Sequence, residues 1–200
     1  MQRLLGVCGL ALFLGSLPAR PQVIEFESNG LKYQTLTRSG VTVMFAPMGT
    51  RLRTYAIVQV SVANGSPGPY VIRPEDFNFI RSDGISIRAT PAASVVEMLS
   101  RHGGGADVLK LIQAYEGALY GIPKMRSTNG YEQRRQAALT TGSSKMRAAA
   151  LASAVALVQT KLIPGQSTDG AVFFQTDGKP LGPGHLVVQT NTDTFEFKGE

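Results

Sequence analysis

Two hundred residues (21.4 kDa), 43% hydrophobic and 17% charged, supply enough apolar material for one folded domain and exclude general disorder. Twenty basic side chains against 14 acidic ones give a net charge of +6. One cysteine and two histidines exclude an internal disulfide framework and a Cys/His-rich zinc module.

The chain opens with a short basic start, Met1-Gln2-Arg3, and an apolar run from Leu4 to Leu17. Pro18-Ala19-Arg20-Pro21 follows, with Ala19 a small residue suited to a cleavage site. Together these predict a signal peptide over residues 1–19 and an exported product, periplasmic or extracellular. The apolar run is too short for the ~20 residues that span a bilayer. Cys8 lies in mid-run behind Val7, which argues against a lipidation signal. Cleavage after Ala19 removes Arg3 and Cys8, so the mature chain has no thiol for catalysis or bridging.

From Val23 to Thr90 the pattern has period two. Leu31 to Leu36, Val41 to Phe45, Tyr55 to Ala63, Tyr70 to Ile72 and Phe77 to Ile80 read as strands, with Ile85 and Ile87 on a returning one. Val58, Val60 and Val62 share a face opposite Gln59 and Ser61. Pro47-Met48-Gly49, Asn64 to Pro69 and Ser82-Asp83-Gly84 read as turns. Ala92 to Thr160 has helical spacing instead, broken by Gly103-Gly104-Gly105, by Lys124 to Gly130 and near Thr141 to Ser144. Asp107 is placed to cap a helix from its first turn. The alanine-dense stretch Arg147 to Val158 reads as a buried helix open to close approach by another element. Strands resume at Ala171 to Phe174, His185 to Val188 and Thr194 to Phe197.

Strand, helix and strand in blocks predict a mainly β fold, a β-sandwich of about eight strands with an α-helical insertion. The expected organisation is a sandwich over 20–91 and 162–200 with the insertion at 92–161. Asn64-Gly65-Ser66-Pro67-Gly68-Pro69-Tyr70-Val71-Ile72 follows a Val-x-Val-x-Val strand and precedes Phe77-Asn78-Phe79 and Asp83-Gly84. With the later Pro164-Gly165-Gln166-Ser167 turn feeding Ala171-Val172-Phe173-Phe174, this resembles exported bacterial immunoglobulin-like domains of unassigned function. The resemblance covers roughly residues 50–90 and 160–198; it implies an immunoglobulin-like sandwich and no particular activity. The helical stretch departs from it.

Chemical motifs are sparse. His102-Gly103-Gly104-Gly105 matches the letters of an esterase oxyanion loop but lies between two predicted helices, without a Gly-x-Ser-x-Gly elbow. Ser167, Asp169 and His185 can be written as a triad, yet nucleophile and acid two residues apart suit no relay through histidine. His102, His185 and the scattered carboxylates lack metal-binding spacing, and Asp76, Asp83, Asp169 and Asp193 read as turn or cap residues. No catalytic, cofactor or metal site is expected. Lys124, Arg126, Arg134, Arg135, Lys145 and Arg147 define a candidate basic binding surface. Nucleic acid is not an expected partner, for want of interleaved aromatics.

The expected function is therefore a non-catalytic envelope or surface protein, a binding or assembly module with a protein partner or a second copy of itself. The alternative is a small-ligand carrier or an enzyme with a pocket between sandwich and insertion, marked by Tyr115, Tyr120, His102 or Arg126. A further reading, a subunit of a surface assembly, needs an open edge strand at Leu31 to Leu36 or Phe195 to Phe197.

Overall fold

The computed structural model describes residues 22–123 and 127–198. The expected leader (1–19), Lys124 and Arg126 lie outside the described residues.

Seven strands come first: β1 (Ile24–Ser28), β2 (Leu31–Arg38), β3 (Val41–Leu52), β4 (Tyr55–Asn64), β5 (Tyr70–Ile72), β6 (Phe77–Arg81) and β7 (Ser86–Thr90). Four helices follow: α1 (Ala92–His102), α2 (Gly105–Leu119), α3 (Tyr131–Leu139) and α4 (Ser144–Val155). The chain finishes with β8 (Thr160–Leu162), β9 (Ser167–Gln175), β10 (Gly184–Gln189) and β11 (Thr194–Glu196). Among the described residues no helix is long and apolar enough to cross a membrane.

The fold is mainly β. Nine strands form one antiparallel sheet in the order β1-β2-β3-β4-β9-β7-β6-β10-β11, and β5 pairs with β8 in a separate ribbon. Tight turns build the first hairpins: Asn29-Gly30 and Ser39-Gly40 both hold positive φ, the conformation that matches strand twist in a two-residue loop. The sheet bends at β7, whose Asn78-facing half pairs with β6 while Ala89 and Thr90 pair with β9. It curls far enough for Phe45 on β3 to meet Phe197, just past β11, edge to face at 4.8 Å. Arg38 Nη1 and Ser39 Oγ reach Thr194 O and Asp193 Oδ1 at 2.5 and 2.7 Å, so the result is a half-barrel.

Alternation along β4 and β9 divides the core. Val58, Val60, Val62, Val172 and Phe174 face the inside of the curl with Phe77, Phe79, Leu186 and Phe195. Tyr55, Ile57, Ala171 and Phe173 face the helices, against Leu99, Leu111, Tyr115, Leu151 and Val155. Both faces of these two strands are buried, which is why Ala171 to Phe174 is an unbroken apolar run. The alanines of α4 are buried within the one chain: Ala148, Ala149, Ala152 and Ala154 are at most 3% exposed. Ser143 caps this helix, its Oγ accepting from Met146 N at 3.2 Å. Asp107 caps α2 by accepting from Gly104 N at 2.9 Å, and the same Oδ2 takes Arg53 Nη2 at 2.7 Å, tying the helix start to the β3–β4 turn.

Three details depart from the sequence reading. Pro47-Met48-Gly49 is no turn, since β3 runs through it with a register shift between Pro47 and Arg51. β2 pairs with β3 only as far as Phe45, so a proline beyond that point deprives no neighbour of a donor. The helix expected to reach Thr160 ends at Val155, because Leu157 N donates instead to Ala171 O at 2.9 Å and its side chain enters the inner core. Leu31 to Leu36 is not an edge, because β1 covers it; β1 and β11 are the edges.

Gln59 is a buried exception on the helix-facing side of β4. It is 4% exposed, and neither its amide nitrogen nor its oxygen has a hydrogen-bond partner among the described residues. An unsatisfied amide opposes folding, so Gln59→Met should raise the free energy of unfolding by about 1 kcal/mol in a urea titration. A loss of stability would show that the amide is satisfied.

Candidate functional site

Two places concentrate polar chemistry, one on each side of the sheet. On the helix side, Asp169 lies in mid-strand on β9, 2% exposed, rather than in a turn. Tyr115 Oη donates to its Oδ2. Thr128 N and Oγ1 donate to Oδ1 at 2.8 and 3.2 Å, and Ser127 Oγ lies 3.3 Å from Oδ2. Asn129 Nδ2 donates to the Asp169 carbonyl. The carboxylate thus pins α2 and the 127–129 segment to the sheet. Saturated with donors and closed to solvent, it serves as a tie between elements rather than as a base for a substrate. The sequence signal was thin: an aspartate one residue before a run of small and aromatic strand residues.

Burial raises the pKa of Tyr115, and the Asp169 carboxylate adds to the shift. Burial likewise raises Tyr131, helped by Glu116, which accepts from its hydroxyl at 2.9 Å. Tyr120 is pushed up to about 12, by desolvation first and then by Glu132. In the unfolded chain these phenols ionise near their usual value of about 10. Their contribution to stability is complete below that pH and is lost as pH rises through 10 toward 12. Buried Tyr115 and Tyr131 should each add a slope of about 1.4 kcal/mol per pH unit above pH 10. Urea midpoints at pH 9, 10 and 11 check this, and Tyr131→Phe should flatten the decline; a flat profile in the parent protein would contradict it.

The candidate site residues scatter. Asp169 faces the helices on β9, whereas His185 is on β10, with β7 and β6 between them in the sheet, so Ser167, Asp169 and His185 do not assemble. His102 is exposed at the end of α1. Of the basic surface, Arg134 and Arg135 are half-buried on α3, Arg147 is half-buried on α4, and Lys145 is exposed. Arg135 Nε lies 2.6 Å from Glu116 Oε1. Between sheet and helices, a cavity of about 200 Å³ is lined by Asn29, Met48, Gln113 and neighbours, and by none of Tyr115, Tyr120 or His102. Among the described residues no three His, Cys, Asp or Glu side chains converge.

A second opening is on the inner side of the sheet. Where β3 shifts register, a groove of about 470 Å³ opens between β2–β3 and the 180–186 segment that begins β10. Its floor is Phe45, Ala56, Phe79, Leu181 and Leu186, all part of the inner core. Lys32, Gln34 and Arg51 supply the polar side chains of its wall, and His185 borders it at the strand position next to Leu186. Arg51 is steadied by donating to Gly178 O, and Gln34 by donating to Glu25 Oε1 at 2.5 Å. His185 Nε2 lies 3.3 Å from Glu196 Oε1 without hydrogen-bond alignment. The Lys198 ammonium, 2.6 Å away, holds the Glu196 carboxyl below its usual range, and His185 contributes less. The sequence held no sign of this groove, because its walls come from strands far apart in the chain.

Fold and groove define a mainly β protein with an antiparallel half-barrel, helices on its outer face and an apolar groove on its inner one. Compared with models of protein families, with curated proteins and with solved structures, the chain matches none.

Proposed function

We propose that this chain is an exported, non-catalytic binding module of the cell envelope or surface, built on an immunoglobulin-like sandwich, and that it takes a small ligand in the groove between β3 and β10. The groove itself carries the reading: core side chains floor it, polar groups stand in its wall, and among the described residues its lining holds no hydroxyl, thiol or carboxylate. Its volume falls within the range of roughly 300–1,000 Å³ in which small ligands are bound. The exchange of partners by β7 supports the sandwich reading, as do the Phe45–Phe197 and Phe79–Phe174 contacts across the core. Export rests on the basic start, apolar run and small exit residue of 1–19.

The test fills the floor. Ala56 is 5% exposed at the base of the groove, so Ala56→Phe should weaken binding of a neutral apolar dye such as Nile red by about tenfold or more, equivalent to ~1.4 kcal/mol. Circular dichroism should remain that of the parent. Equal dye binding by both proteins would refute the groove as the site.

A further inference from the structure

We infer that the groove takes a single-chain amphiphile whose head group is anionic, a carboxylate or a phosphate. The inference rests on the groove reading above and adds the chemistry of the ligand. Among the described residues, the charged or titratable residues that line the groove are all basic: Lys32, Arg51 and, at its border, His185. An ammonium and a guanidinium above an apolar floor satisfy a buried chain and a head group that accepts charge-assisted hydrogen bonds. The same wall disfavours a cationic head, which would meet two fixed positive charges with no counterion in the lining.

The nearby carboxylates stand one strand or one residue back. Glu25 accepts from Gln34, and Glu196 lies between His185 and Lys198. Glu27 sits opposite Lys32 across the β1–β2 ladder and is the acidic residue in register with it. Lys32 and Glu27 are both exposed, on the second and first strands of the sheet, so replacing either leaves the core untouched.

The experiment measures displacement of Nile red from the full chain by four ligands of equal chain length: dodecanoate, dodecyl phosphate, dodecanol and dodecyltrimethylammonium. The two anions should bind about tenfold tighter than the alcohol, the cation most weakly. Whichever anion binds more tightly distinguishes a fatty-acid head from a lipid phosphate. Lys32→Gln should reduce the preference for anions over dodecanol about threefold or more, and Glu27→Gln should increase it. Equal or tighter binding of the alcohol or the cation would overturn the inference while leaving the groove in place. Failure of Nile red to bind, or its indifference to Ala56→Phe, would remove the groove reading and the inference together.

Discussion

Asp169→Ala is expected to lower the free energy of unfolding by about 3–5 kcal/mol, the cost of removing one partner from a buried charged network. The substitution strands Tyr115 Oη, 1% exposed as a residue, and deprives Thr128 N and the Ser127 and Thr128 hydroxyls of their common acceptor. Tyr115→Phe should cost less, about 1–3 kcal/mol, because Asp169 keeps the donors of the 127–129 segment. Denaturant unfolding ranks the two variants. Limited proteolysis should find Ser127 to Asn129 more readily cut in Asp169→Ala than in the parent. A loss below about 1 kcal/mol for Asp169→Ala, less than one buried hydrogen bond is worth, would mean that this tie does not hold the helices to the sheet.

The second large effect is steric. At Gly170, a Cβ would sit 2.5 Å from Leu157 N and 2.9 Å from Leu157 Cβ, with the Leu157 Cα closer still. The obstruction is backbone, and it is fixed because Leu157 N donates to Ala171 O where the chain leaves α4. Gly170→Ala must push the exit of the helical region off β9, and overpacking of this kind should cost about 3 kcal/mol or more. Gly117→Ala in α2 is the control: nothing lies within 4 Å of its Cβ position, and the change should stabilise by about 0.5–1 kcal/mol. Thermal unfolding of the pair separates close approach from glycine flexibility; equal effects would contradict the packing described at Leu157.

Periodicity located most of the elements because a strand buried on one face must alternate, and a helix packed on one side must repeat every three or four residues. Val58, Val60 and Val62 face the inner core as their spacing requires, and Phe77 and Phe79 share that face. The breaks read at Gly103 to Gly105 and near Thr141 to Ser144 fall where α1 gives way to α2 and α3 to α4. Ala156 and Leu157 misled the same reasoning. Their composition suits a helix, but they lie extended because β9 offers a backbone acceptor that local propensity does not register. Asp169 misled it too: an aspartate between turn and strand reads as a turn residue until its donors arrive from 40 to 54 positions away.

By itself, the sequence determined the mainly β class, the block of helices between two sets of strands, and the burial of the alanine helix. Each follows from local pattern, in which side-chain direction is set by the residue's own backbone. The tertiary structure alone decided which strands are neighbours, where the sheet curls, and hence where a groove opens. Lys32, Arg51 and, at its border, His185 come to one groove only because β10 returns opposite β3. That adjacency depends on pairing between distant segments, which the hydrophobic pattern of any one strand leaves open.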